Sequence, residues 1–264
     1  MKKILLAVLI VLSVLASACC TSADMADNTG VADVSTGVLR IAEQGMFSAG
    51  GTVTDPLPGE YDEKTNWMDE SRSGNTMHID HANVFYQIPE NAAGKPIVFL
   101  HGAGQSRMCW MTTPDGREGW SDIFQKKGHG VFLVDQPRRG EAGQTAIGPV
   151  DTLPGDQAWY THFRIGRIAP ERYDNSQFPE GNYAQDQFFR QMTPNTAEFD
   201  QKVMADAMNA VLDEVFKRTG EKPILITHSQ GGLVGWGVSP EKVCAIVTIE
   251  PGYAPTPDMT PGGI

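Results

Sequence analysis

Ile224-Leu-Ile-Thr-His-Ser-Gln-Gly-Gly232 is the stretch whose reading decides the fold. Four strand-like residues run into Ser229, small residues flank it, and an apolar helical pattern follows. That is the strand–turn–helix setting in which a serine hydroxyl is pushed out above the edge of a sheet and becomes a nucleophile. Thr227-His228-Ser229-Gln230-Gly231 matches the pattern G-x-S-x-G except at its first position, where the larger, β-branched Thr227 stands. Small residues are needed there because the turn brings the backbone close to itself.

Further apolar runs lie upstream and downstream. Ile97-Val-Phe-Leu100 ends in His101-Gly-Ala-Gly104. Val131-Phe-Leu-Val134 ends in Asp135, and Val243 to Ile249 ends in Glu250-Pro-Gly252. Runs without alternation predict strands buried on both faces, as in a parallel sheet covered by helices. Each run ends in polar residues or glycine, and ligands bind at the carboxyl ends of such strands. Two earlier apolar regions, Val38 to Asp55 and Met77 to Ile88, predict opening antiparallel strands.

Between the runs, Phe199, Val203, Met208, Val211, Leu212 and Val215 recur at helical spacing and predict a helix from Thr196 to Thr219. Asn195 with Glu198 three residues later resembles a capping box, and Gly220 suits the stop. Residues 144 to 194 fit neither template. They carry five prolines and eight aromatics, Trp159, Tyr160, Phe163, Phe188 and Phe189 among them. A stretch this long predicts a cap over the strand ends, or a peripheral subdomain with its own small core, or both.

The net charge of −11 argues against a nucleic-acid partner gripped through its phosphates. The first 18 residues read as an export signal: Lys2 and Lys3, an apolar run from Ile4 to Ala16, and the small-residue site Ala16-Ser-Ala18. Residues 19–37 read as a flexible tether and 38–264 as the folded domain. Cys19 directly after the cleavage site resembles the lipidated cysteine of a bacterial lipobox; plain secretion is the other reading. The protein is therefore expected in the periplasm or outside the cell, with or without a lipid anchor at Cys19. Cys109 and Cys244 are expected at opposite ends of the sheet, as two free and mostly buried thiols. No CxxC spacing suggests a metal. The pair His78 and His81 invites a metal reading, but strand alternation sends the two rings to opposite faces. Neither metal nor cofactor is expected.

Acyl transfer at Ser229 needs amide donors aimed at the developing oxyanion. The residue after the nucleophile, Gln230, supplies one candidate, and Ala103 in the loop after the first core strand supplies the other. Glu250, at the end of the next strand, is a candidate for the carboxylate that orients a catalytic histidine; a plain surface acid opening a turn is the alternative. Six histidines are present, and none follows Ser229. His228 should point away from the turn, His101 should brace its loop, and His162 lies in the cap.

The Ile97–Gly104 segment, Asp135-Gln-Pro-Arg-Arg-Gly140, the Ser229 turn and the Val243–Gly252 strand resemble an α/β-hydrolase. Met108-Cys-Trp-Met-Thr-Thr-Pro-Asp-Gly116, Gly119-Trp120, Phe163-Arg-Ile-Gly166, Gln177-Phe-Pro179 and His228-Ser-Gln230 are similar to a subgroup of exported bacterial serine esterases. The resemblance implies a mostly parallel central sheet with flanking helices and a cap insertion at about 144–194. It also implies an activity on small carboxylic esters through Ser229, Glu250 and a later histidine. The family's last two strands, last helix and histidine have no counterpart here, so the domain is expected to be incomplete and the 264-residue chain inactive alone. The rival expectation is a non-catalytic, surface-anchored binding protein on the same scaffold.

Overall fold

The computed structural model describes residues 38–65, 72–148 and 155–253. The leader, the tether and Cys19 lie outside the described residues. In chain order the elements are β1 (Ile41–Ala49), β2 (Thr52–Val53), β3 (His78–Ile79), β4 (Ala82–Pro89), β5 (Ile97–Leu100), α1 (Trp120–Lys126) and β6 (Val131–Asp135). Then come α2 (Asp156–His162), β7 (Gly166–Ile168), β8 (Glu171–Arg172), α3 (Asn182–Arg190), α4 (Gln201–Thr219), β9 (Ile224–His228), α5 (Gln230–Gly237) and β10 (Ala245–Ile249).

Six strands form one sheet in the order β1-β4-β6-β5-β9-β10. β1, β4 and β6 pair antiparallel, while β6, β5, β9 and β10 run parallel. Every residue of β5 and β6 is buried, as the unbroken apolar runs predict. From β5 the chain goes first to β6 on one side and later to β9 on the other. That reversal is the point where open α/β sheets leave a crevice beyond their strand ends.

Two apolar layers hold the sheet. On one face α4 and α5 cover Val84, Val98, Leu100, Phe132 and Leu225. On the other, Trp110 and Phe124 pack on Ile97, Phe99, Val131, Leu133 and Ile226. Residues 155–193 keep a separate small core, with Trp159, Tyr160, Ile165 and Phe188 buried and Phe163, Phe178 and Phe189 packed against them.

Helix α4 starts at Gln201, not at Thr196. Asp200 is its N-cap and accepts from the Val203 amide at 3.1 Å, so the Asn195–Glu198 box is not the cap. The preceding residues are taken up by the loop after β6: Thr196 N–H donates to Arg138 O, and Arg138 Nη1 donates to Glu198 O. Asp200→Ala should cost about 1 kcal/mol of stability in urea unfolding, and Asn195→Ala should cost nothing through α4. The Gly220 stop is as expected, with φ +71°.

Cys109 and Cys244 are free, but Cys244 is exposed rather than buried. It sits just before β10, an outer strand with no partner on its far edge among the described residues.

Candidate active site

Parallel register brings the chemistry together. Leu100 lies opposite Thr227, and His228 opposite Ile249. The His101 loop, Ser229 and Glu250 therefore emerge side by side at one end of the sheet. Ser229 joins β9 to α5 with φ +49° and ψ −118°. A non-glycine residue held there stores about 1–3 kcal/mol, and such strain gathers at functional turns.

The turn is stapled to the next strand. Ser229 N–H donates to Ile249 O at 3.1 Å, and Gly252 N–H donates to Ser229 O at 2.8 Å. These two bonds fix Ile249 and Gly252, which bracket Glu250 and Pro251, against the serine backbone. Ser229 stands at the N-cap of α5, yet its hydroxyl makes no capping bond. Serine at that position ordinarily spends its oxygen on the helix amides. Here the oxygen is uncommitted among the described residues.

Close approach explains the small residues. A Cβ on Gly231 would lie 2.6 Å from His101 O and 3.0 Å from Leu100 O, so α5 begins directly against the end of β5. Gly231→Ala should lower stability by about 1–3 kcal/mol in urea unfolding; an unchanged midpoint would contradict this packing. Thr227, the departure from the motif, is fully buried, and room for it comes from the helix. A Cβ on Gly235 would meet Thr227 Cγ2 at 3.1 Å.

The loop after β5 faces the serine from the other side. A Cβ on Gly102 would stand 2.9 Å from Ser229 Cβ. Among the described residues the Ala103 amide has no acceptor, and the Gln230 amide belongs to the first turn of α5, which helix geometry leaves without an internal partner. Gln230 directly follows Ser229, and Ala103 directly follows Gly102, whose backbone meets the serine, so two amides without acceptors lie in the segments that border Ser229; the positive end of α5 adds to them.

His101 braces this loop as expected. It is fully buried, with Nδ1 2.9 Å from Gly102 O, while Gln136 donates its backbone N–H to Nε2 at 3.4 Å and its Nε2 to His101 O at 3.0 Å. Those contacts require the neutral Nδ1–H tautomer. Burial lowers its pKa to about 4 against the opposing charge of Asp135. Asp135 in turn accepts from the Arg107 and Glu141 amides at 2.7 and 3.0 Å.

Glu250 is exposed, at φ +42°, and takes a hydrogen bond of 3.2 Å from Arg164 Nη1. Arg164 comes from the 155–193 region and was not singled out in the sequence. Among the described residues none of the six histidines bonds to Ser229 or Glu250. His228 turns to Gln105, with Nδ1 3.0 Å from Gln105 Oε1, and burial lowers its pKa against the opposing Glu250 charge. His162 is bonded to Ala158 O on α2, and His129 to Lys95 O at the far end of the sheet. Asp80, between His78 and His81, is occupied by Arg138. Among the described residues no three His, Cys, Asp or Glu side chains gather as metal ligands.

A cavity of about 760 Å³ has a wall that includes Gln105, Trp120, Phe163, Arg164, Phe178 and Phe188; Ser229 is not part of that wall, but Gln105 and Arg164 connect it to His228 and Glu250. Phe163, Phe178 and Phe188 thus serve both as packing of the 155–193 core and as cavity wall.

Sheet order, crevice and strained serine turn define an α/β protein built around a strand–serine–helix elbow. Residues 97–263 match the family model described as the alpha/beta hydrolase family, and the chain belongs to that family. It is similar to the solved structure of a bacterial esterase, with 29% identity and a TM-score of 0.71, over 86% of this chain and 73% of that one. It is 30% identical to "Probable secreted lipase phiG" of a fungal species (strain ATCC 74256) over 64% of this chain. The chain spans about half of that relative's length, 48%.

Proposed function

We propose that the protein is an exported serine hydrolase of carboxylic esters. Ser229 Oγ attacks the ester carbonyl, and the Ala103 and Gln230 amides receive the charge that forms on the carbonyl oxygen. A histidine takes the serine proton and passes it to the departing alcohol; water then cleaves the acyl-serine by the same route. Glu250 orients that histidine. None of the six histidines of the sequence bonds to Ser229 or Glu250, so the base of this proposal is a histidine other than these. An export signal at residues 1–18 and a cap insertion at about 144–194, which contributes Phe163, Phe178 and Phe188 to the cavity wall, belong to the same reading.

One observation carries this reading. Ser229 is held in a strained turn with an unspent hydroxyl, bordered by segments that carry two unspent amides and by the strand end that bears Glu250. The names of the esterase and lipase relatives support the same chemistry.

The test is covalent labelling. Sequencing the gene past codon 264 should reveal a continued frame with a late histidine. The protein of that length should react with a fluorophosphonate at Ser229, and the Ser229→Ala variant should not. Equal labelling of both would refute the proposal, and a true stop at codon 264 would favour a non-catalytic binding protein on this scaffold.

A further inference from the structure

Gln105 stands out among the polar residues outside the proposed triad. It is 7% exposed, and one oxygen of its side chain serves two partners on different elements. Gly102 N–H donates to Oε1 at 3.2 Å, and His228 Nδ1 lies 3.0 Å from the same atom. The first bond fixes the amide orientation, because an N–H must meet the oxygen and not the nitrogen. The second contact then requires the proton of His228 on Nδ1. Space confirms the crowding: a Cβ on Gly102 would lie 3.1 Å from Gln105 Oε1, 3.0 Å from His228 Nδ1 and 2.9 Å from Ser229 Cβ.

The rest of the side chain faces elsewhere. Gln105 belongs to the wall of the cavity lined by Phe163, Phe178 and Phe188. Its Nε2 has no partner among the described residues and is not among their buried unpaired atoms. The group therefore keeps an unspent donor on a residue that lines that cavity.

We propose that Gln105 is a positioning residue that clamps the Ala103-bearing loop to the Ser229 turn through His228, and that its Nε2 offers the cavity a donor for a neutral acceptor group on the bound ester. The proposal rests on the serine-hydrolase reading for its catalytic consequence, but the clamp itself does not. Beyond the β5–β9 ladder, no other hydrogen bond among the described residues joins the Gly102–Gly104 loop to the end of β9. A displacement of about 1 Å between a nucleophile and its oxyanion donors can cost about a hundredfold in rate. The device also gives the polar His228 an acceptor in a half-buried place where an unpaired N–H would be costly.

The clamp is read first by nitrogen NMR of the histidine rings in the 264-residue chain. His228 should be locked in the Nδ1–H tautomer. Gln105→Leu should release it to the Nε2–H form or a mixture. Gln105→Glu, which keeps an oxygen of the same shape, should retain the Nδ1 proton and raise the pKa of His228. An unchanged His228 ring in Gln105→Leu would overturn the clamp, whatever the activity. In the gene-length enzyme Gln105→Leu should lower kcat about tenfold to a hundredfold on a simple nitrophenyl ester that does not reach the cavity, with little change in KM. An ester bearing a neutral acceptor on its bulky group should show a raised KM as well. A variant with unaltered kcat and KM on both esters would overturn the positioning role. If Ser229→Ala leaves that enzyme fully active, the serine reading fails, and the ring NMR still decides the clamp.

Discussion

Ser229→Ala should abolish turnover in the gene-length protein, with kcat on a nitrophenyl ester falling by about 10⁴-fold or more. The magnitude follows from covalent catalysis. Without Oγ no acyl-serine forms, and the amides of Ala103 and Gln230 can stabilise only a direct attack by water. That residue of activity is the reason the loss is large yet finite, since oxyanion donors and binding still give about 10³–10⁴-fold over water. The 264-residue chain should turn over the same ester little above its own Ser229→Ala control, because no histidine bonds to the serine and His228 is turned to Gln105. A rate far above that control would show that His228 or another described histidine serves as base.

Asp80→Ala should lower stability by about 3 kcal/mol, the largest effect expected away from the serine. Arg138 Nε and Nη2 donate to Asp80 Oδ1 and Oδ2, each at 2.9 Å, and the Arg138 side chain is only 3% exposed. Removing the carboxylate strands a buried guanidinium whose remaining bond goes to Glu198 O. The damage should spread to the loop after β6, which Arg138 joins to the segment before α4. Replacing both partners, Asp80→Ala with Arg138→Met, should cost less than the two single losses added, because no buried charge is then left alone. A double variant as unstable as the sum would show that the two residues do not act as a pair.

The same pair sets a pH dependence with a definite sign. The hydrogen bond from Arg138 holds Asp80 below the usual carboxylate range, against the opposing effect of burial. A group depressed in the folded state contributes its full stability above the unfolded value, about 3.9, and loses it as pH falls through the folded value. Urea midpoints of the wild type and Asp80→Asn should therefore differ most near neutrality. They should converge as the pH drops below about 4. A gap that stayed constant to pH 2 would mean that the Asp80 charge contributes nothing.

The central strands were legible because burial on both faces leaves no polar residue within them. Ile97–Leu100 and Val131–Val134 could hardly be read otherwise. The sharp turn at Ser229 is legible because it demands small neighbours, and the place of Glu250 because it ends the adjoining strand. What escaped the sequence depends on contacts with no periodic mark. Gln105 meets His228 across 123 positions, and Arg164 meets Glu250 across 86. The start of α4 was misjudged because Asn195 and Glu198 satisfy a local rule, while Arg138, far off in sequence, claims the backbone between them. The segment from Val243 reads as a core strand, yet Cys244 is exposed, because burial also needs a neighbour on the outer side of β10.

The division between the sheet and the self-contained aromatic core of residues 155–193 bears on descent. Within β5, β9 and β10 one inserted residue would shift Ser229 or Glu250 out of line with the others, so lengths there are fixed. The 155–193 region can gain, lose or exchange residues while its own packing absorbs the change. Related lineages should accordingly differ most in the size and chemistry of what they admit, and least in how they cleave it.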